Sequence, residues 1–183
     1  MIRTLLISAA FVIGAGAAAA ATAMRDKPRT ALAPAGDPET ARVITLVSSI
    51  PMAVDLAAYD LAEAAFAPEI VIDYTSLWGG LPQTMTPAEL MAGWRGIVPG
   101  FDATWHELKN VEAQVQGDAA RATADVDGRH WIGPELWRPV GRYDWTLAKI
   151  GGRWKVTKMV FQMTQEIGSR ELASKAQERA KAK

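Results

Sequence analysis

The sequence predicts an α+β fold, with helices first and a mostly antiparallel sheet after them. Three observations carry this. Helical patterns fall before Gly100, interrupted by a single strand. Beyond it the chain is strand-like, and Gly117-Asp118 and Gly151-Gly152 are good two-residue hairpin connectors. Cysteine is absent, so the fold must rest on its hydrophobic core, and a domain of about 150 residues buries roughly 68–70% of its unfolded surface.

The domain begins near Pro38. Arg42 to Tyr59 carries Ile44, Val47, Ile50, Met52 and Val54, a helical pattern interrupted at Pro51. Asp60 with Glu63 forms a capping pair for a short helix over Leu61 to Phe66. In the strand Glu69 to Tyr74, the two-residue period puts Ile70, Ile72 and Tyr74 on one face. Thr86-Pro87-Ala88-Glu89 is a helix start, with Thr as N-cap, Pro at the first helical position and Glu three residues after the cap. That helix should end near Pro99-Gly100. Strands follow at about Thr104 to Gln116, Ala119 to Ile132, Val140 to Ile150 and Arg153 to Met163. The domain therefore spans 38–168, and 169–183, rich in Ala, Lys, Arg and Glu, reads as a solvated helix or frayed tail.

The N-terminus has its own pattern. Arg3 precedes an apolar run from Leu5 that thins into Ala17 to Ala21, the layout of a secretory signal peptide. Ala21-Thr22-Ala23 places cleavage before Met24, giving a leader over 1–23 and a Pro- and charge-rich tether over 24–37. An uncleaved anchor is the weaker alternative, because Leu5 to Ile13 is shorter than the roughly 20 residues that span a bilayer. The implied destination is the periplasm or the exterior, with no integral span after cleavage. Removing Arg3 leaves 19 basic against 20 acidic residues. A near-neutral mature chain argues against nucleic acid as the main partner. Oligomeric state stays open between monomer and homo-oligomer.

Strand facing locates the polar residues that turn inward. Of the two histidines, His130 shares a face with Ala120, Ala122, Ala124, Val126 and Ile132. A lone histidine there is ordinarily a satisfied core residue. His106 shares a face with Leu108 and Asn110, but Val111, Ala113 and Val115 follow at odd positions, so the strand carries a bulge or belongs to an incompletely packed sheet. Tyr143 lies on the inner face with Trp145 and Leu147. Asp55 sits on the largely apolar first helical stretch, where an N-cap after Pro51 is the bland explanation. One carboxylate, two imidazoles and two phenols in one apolar interior are costly unless they pair with each other or with a ligand. That is the pattern of a small-molecule site.

Other chemistries lack their patterns. Neither histidine has metal-ligand spacing, there is no G-x-S-x-G elbow and no phosphate loop. No metal or cofactor is called for. Trp78-Gly79-Gly80 reads as a loop bend beside an aromatic plug.

The sequence resembles the scytalone dehydratase-like branch of the nuclear transport factor 2-like superfamily, also described as SnoaL-like. The likeness runs from about Asp55 to Phe161 and is clearest over Phe66-Ala67-Pro68-Glu69-Ile70-Val71-Ile72-Asp73-Tyr74-Thr75-Ser76-Leu77 and Met85-Thr86-Pro87-Ala88-Glu89. Thr104-Trp105-His106, His130 and Gly152-Arg153-Trp154-Lys155 follow in order. The resemblance implies a curved sheet wrapped into a cone whose mouth the N-terminal helices close. It also implies an Asp paired with a strand His, a second His across the pocket, and tyrosines holding a carbonyl oxygen. These fall on Asp55, His106, His130 and Tyr74. The departures are Val54, where the family enzyme has Tyr, and Gly141 and Tyr143, near the family's Ser and Asn.

The expectation is a cofactor-independent lyase of dehydratase type acting on a small apolar hydroxy-carbonyl compound. Asp55, Tyr74, His106 and His130 are its catalytic candidates, and Val54, Trp78, Asn110, Gly141 and Tyr143 its substrate-binding candidates. An isomerase, aldolase or cyclase on the same residues, or a non-catalytic small-ligand binder of the cell envelope, would share this fold.

Overall fold

The structure is a computed structural model that describes residues 36–182. The leader expected over 1–23 and nearly all of the tether expected over 24–37 lie outside the described residues. Helix α1 (Pro38–Asp55) begins as its sequence dictates: the Asp37 side chain accepts the Thr40 amide at 2.9 Å, and Pro38 stands at the first helical position. Val43, Val47, Ile50 and Val54 form its buried stripe. Pro51 interrupts neither its course nor its burial, and the helix runs on to Asp55. Met52, expected in the apolar stripe, is 57% exposed.

Helix α2 (Tyr59–Glu63) starts earlier than the sequence suggested and has Ala58 as an N-cap without a side-chain bond. Asp60 instead pairs with Arg95 at 3.0 Å. Strand β1 (Phe66–Asp73) ends one residue before Tyr74, which introduces the single-turn helix α3 (Thr75–Trp78). The cause is local: the Asp73 carboxylate accepts the Thr75 amide and hydroxyl and bends the chain. A short strand β2 (Gln83–Met85) follows, then α4 (Pro87–Arg95), whose Thr86–Glu89 capping box is formed from both sides. It ends sooner than expected, and a separate 3₁₀ turn occupies Val98–Gly100.

Four long strands complete the sheet: β3 (Ala103–Gln116), β4 (Ala119–Ile132), β5 (Glu135–Ile150) and β6 (Arg153–Gly168). Their order is β2-β1-β6-β5-β4-β3. The β1–β6 pair is parallel and every other pair antiparallel, so the sheet is mixed. Both glycine hairpins form where expected. A third, at Gly133-Pro134, starts β5 at Glu135 rather than Val140, with Gly133 at φ 56° supplying the left-handed turn residue.

The uneven pattern of β3 is resolved by a bulge. Lys109 faces Asp125, but Glu112 faces Thr123, so one extra residue has entered β3. The insertion exchanges the faces: His106 and Leu108 point inward before it, and Val111, Ala113 and Val115 after it. Asn110 takes the strained position at φ 51°.

The C-terminal segment is more than a solvated tail. Helix α5 (Glu171–Lys181) buries Leu172, Ala173 and Ala176 against the aromatic end of the core. Its backbone comes so close to Gly100 that a Cβ there would overlap the Ala176 carbonyl. The helix looks solvated in composition because only that narrow stripe is apolar.

Candidate active site

The end of α1 is the anchor of the site. Asp55, its last residue, faces the start of β3, where three donors meet its carboxylate. Thr104 Oγ1 donates to Oδ1 at 2.7 Å, the His106 amide to Oδ2 at 2.7 Å, and His106 Nδ1 lies 2.7 Å from Oδ1. Thr104 and His106 share a face by the two-residue period, which is why one carboxylate reaches both. Burial pushes the Asp55 carboxyl up, but hydrogen bonds and charge from His106, with the Thr104 hydroxyl, outweigh it and hold it below the ordinary carboxylate value. An ionised Asp55 selects the His106 tautomer with the proton on Nδ1, which leaves Nε2 with its lone pair.

His106 lies directly opposite Gly128 of β4, and His130 stands two residues further on the same face. The two imidazoles meet edge to face, with centroids 5.0 Å apart. Gly128 makes this contact feasible. A Cβ there would meet His106 Cδ2 at 3.2 Å, His130 Cε1 at 3.4 Å and the Pro139 carbonyl at 3.4 Å. A glycine inside a strand marks a close approach, and here the approaching groups are the two rings.

His130 is boxed by Phe101 at 4.9 Å and Trp137 at 4.8 Å, with Nδ1 3.3 Å from the Trp137 carbonyl. Burial, reinforced by His106, pushes it down to about 3. It is therefore neutral at ordinary pH, donating from Nδ1 and offering a lone pair on Nε2.

The dyad opens on an apolar cavity of ≈ 130 Å³, to which Val54, Tyr74, Trp78 and Tyr143 all contribute. Tyr143 and Tyr74 pack on Phe161 at 5.4 and 6.4 Å. Burial raises both phenols, offset in part at Tyr74 by Trp94 and strengthened at Tyr143 by Tyr74 and Asp55. Both stay protonated and available as donors. Trp145 also lines the cavity, fully buried, and its Nε1 has no partner. Trp78 is half exposed, resting on Trp137 at 5.7 Å beneath the Arg170 guanidinium, as a plug would.

Two expected binding residues are elsewhere. Asn110 is exposed at the β3 bulge and donates to Asp125 at 2.7 Å, on the outer side of the sheet. The inserted residue ended the alternation that had aligned it with His106. Gly141 is absent from the cavity wall because it is pressed against β6, where a Cβ would meet the Gln162 backbone and Phe161. Thr104, Gly128 and Trp145 were missed. Thr104 and Trp145 had the facing signal, and Gly128 had the signal of a lone glycine between inward residues. Among the described residues no cluster of three or more His, Asp or Glu could hold a metal, and no helix is long and apolar enough to cross a membrane.

The model of the SnoaL-like domain matches residues 39–160, two thirds of the chain. The chain belongs to the SnoaL-like domain family. Among solved structures, this SnoaL-like domain is similar to a protein from Kribbella flavida, with 25% identity and a TM-score of 0.69 over 73% of this chain and 95% of that one. A candidate scytalone dehydratase from Novosphingobium aromaticivorans shares 18% identity at a TM-score of 0.62, over 70% of this chain and 86% of its own. A hexachlorocyclohexane dehydrochlorinase shares 17% identity at 0.60, over 70% and 87%. The fold is thus that of a group that includes dehydratase- and lyase-type proteins. No curated protein matches this SnoaL-like domain.

Proposed function

We propose that this domain is a cofactor-independent lyase of dehydratase type, expelling water from a small apolar β-hydroxy carbonyl compound. The observation that carries the reading is the Asp55–His106 pair facing an apolar cavity, with a neutral His130 against its ring. Among the structural neighbours, one is named for loss of water and one for loss of hydrogen chloride. Both are eliminations.

The geometry suggests a division of labour. His106 Nε2 removes the proton next to the carbonyl, and Asp55 offsets the charge of the imidazolium. The electron pair moves onto the carbonyl oxygen, which Tyr74 or Tyr143 stabilises by donating a neutral O–H. The enolate then re-forms the carbonyl and expels the β-hydroxyl, which takes the proton from His106 and leaves as water. His130, held neutral, transfers no proton in this step: its Nε2 accepts a hydrogen bond from the substrate hydroxyl and orients it beside His106. Val54, in place of a tyrosine, gives up one donor, so the substrate differs from scytalone in what holds its oxygen.

The test begins with metabolites screened for thermal stabilisation. On a substrate found this way, His106→Ala should lose about 10²–10⁴-fold in kcat. Turnover of that substrate at the wild-type rate would overturn the reading. Export is proposed from the leader pattern alone: mass spectrometry of an envelope fraction should find Met24 as the N-terminus, and an intact Met1 on a cytoplasmic species would overturn it.

A further inference from the structure

The cavity holding the two histidines is small. An engineered apolar cavity of about 150 Å³ accepts benzene, and this one measures ≈ 130 Å³. That is room for a single ring or its equivalent. A wider depression of ≈ 480 Å³, open to solvent along Leu81, Gln83, Ser174 and Gln177, adjoins it, and Tyr74, Trp78, Trp94 and Ile97 line both.

The two differ in chemistry. The polar surface of the inner one is that of the histidines and of the Tyr and Trp donors. The outer one adds Thr75, Gln83, Ser174 and Gln177 to Leu81 and Met85, with α5 forming one side. Among its described lining residues Glu89 alone carries a charge. Its Oε2 already accepts the Thr86 amide at 2.7 Å and hydroxyl at 2.8 Å, so the carboxylate is fixed there by the capping box.

We propose that the substrate is bound in two parts across the Tyr74–Trp94 wall: a ring-sized apolar head in the inner chamber and an uncharged polar extension in the outer depression. A ligand no larger than the inner chamber would leave the polar outer wall unused, while a larger apolar one would leave its hydrogen-bonding groups unpaired. The Glu89 carboxylate, exposed at the rim, disfavours an anionic extension by like-charge repulsion that salt screens. The lyase reading enters only in placing the reacting carbon of the head beside His106.

Calorimetry on the full chain tests this with three probes: acetophenone, its para ether with diethylene glycol, and the same ether ended by a carboxylate. The neutral tailed ketone should bind about tenfold or more tighter than acetophenone, since its added atoms find partners in the outer depression. Ser174→Trp, which fills that depression from an exposed position of α5, should bring the ratio of tailed to bare affinity to about one, and Gln177→Trp should do the same. Val54→Phe, which fills the inner chamber, should weaken both ketones together. The carboxylate-ended probe should lose part of the gain and recover it in Glu89→Gln, a change that keeps a capping side chain. A tail that adds nothing to wild-type affinity, a ratio that survives both tryptophan variants, or failure of both ketones to bind would each overturn the proposal. The ratio is read without turnover, so a protein that binds in two parts and catalyses nothing would sink the lyase reading alone.

Discussion

Asp55 and His106 are joined twice, Oδ1 to the ring Nδ1 and Oδ2 to the backbone amide, both at 2.7 Å. The carboxylate therefore fixes the strand as well as the imidazole. Asp55→Asn should remove the offset for a protonated ring while keeping one bond to the backbone, and the loss of kcat should be smaller than that of His106→Ala, roughly tenfold to a hundredfold. Thr104→Val removes a donor to a charged group, at a cost of about 1.5–3 kcal/mol. Thermal melts and steady-state rates separate the two: equal kcat losses in Asp55→Asn and His106→Ala would show that Asp55 does more than orient.

The second expectation concerns Gly128. A methyl group there would sit 3.2 Å from His106 and 3.4 Å from His130, so the rings must part by a few tenths of an ångström. Gly128→Ala should cost about 1–3 kcal/mol of stability through overpacking and lower kcat by roughly tenfold or more through misplacement of the dyad. Nitrogen chemical shifts of both imidazoles should move in the folded variant. Unchanged shifts with unchanged kcat would deny Gly128 a positioning role.

Much of this arrangement was legible in the sequence because it follows from alternation. The inward facing of His130, Tyr143 and Trp145 needed only the period of two, and the Thr86 capping box needed only its spacing. Where the period broke, the reading of particular residues broke with it. Asn110 was aligned with His106 until one inserted residue turned it outward, although a bulge was one reading of the uneven pattern. Gly141 could not be placed from sequence, because whether a strand glycine faces a ligand or a neighbouring backbone depends on strand packing. The docking of α5 was hidden for another reason. A close approach between Gly100 and Ala176 joins residues far apart in the chain, and neither composition nor period reports such a pairing.

A third prediction follows from the neutral His130. Its folded pKa, about 3, lies below the ordinary value of 6.5. The unfolded chain therefore binds a proton between those values that the folded chain refuses. The associated stability is fully present above about pH 6.5 and is lost as pH falls. One such group changes stability by up to about 2 kcal/mol between pH 6.5 and pH 5. Asp55, whose pKa is lowered, adds a dependence of the same sign only nearer the carboxylate range, below this window. His130→Phe, set among Phe101 and Trp137, should have a lower melting temperature at pH 7 through the lost carbonyl bond, yet a flatter dependence between pH 6.5 and pH 5. A slope equal to that of the wild type would assign the dependence to other groups.

The last prediction tests the departure at Val54. This residue is the penultimate one of α1, buried, and lines the cavity beside the Asp55–His106 pair. Val54→Tyr would restore a phenol where the family enzyme has one, but into a cavity of ≈ 130 Å³ that a phenol ring would largely fill. Two effects then compete. The added hydroxyl could hold a carbonyl oxygen, and the added ring takes the space of a ring-sized ligand. Size should win: the variant should bind the natural substrate at least about tenfold more weakly, with KM rising more than kcat falls, because the lost interaction is one of ground-state fit. Overpacking of a buried helix position should add about 1–3 kcal/mol of destabilisation. Val54→Thr supplies the control, since it adds a hydroxyl with almost no volume. If Val54→Tyr lowers KM while Val54→Thr leaves it unchanged, the cavity is wider in solution than its apolar walls indicate, and the substrate is held at the end of α1 by a donor this protein lacks.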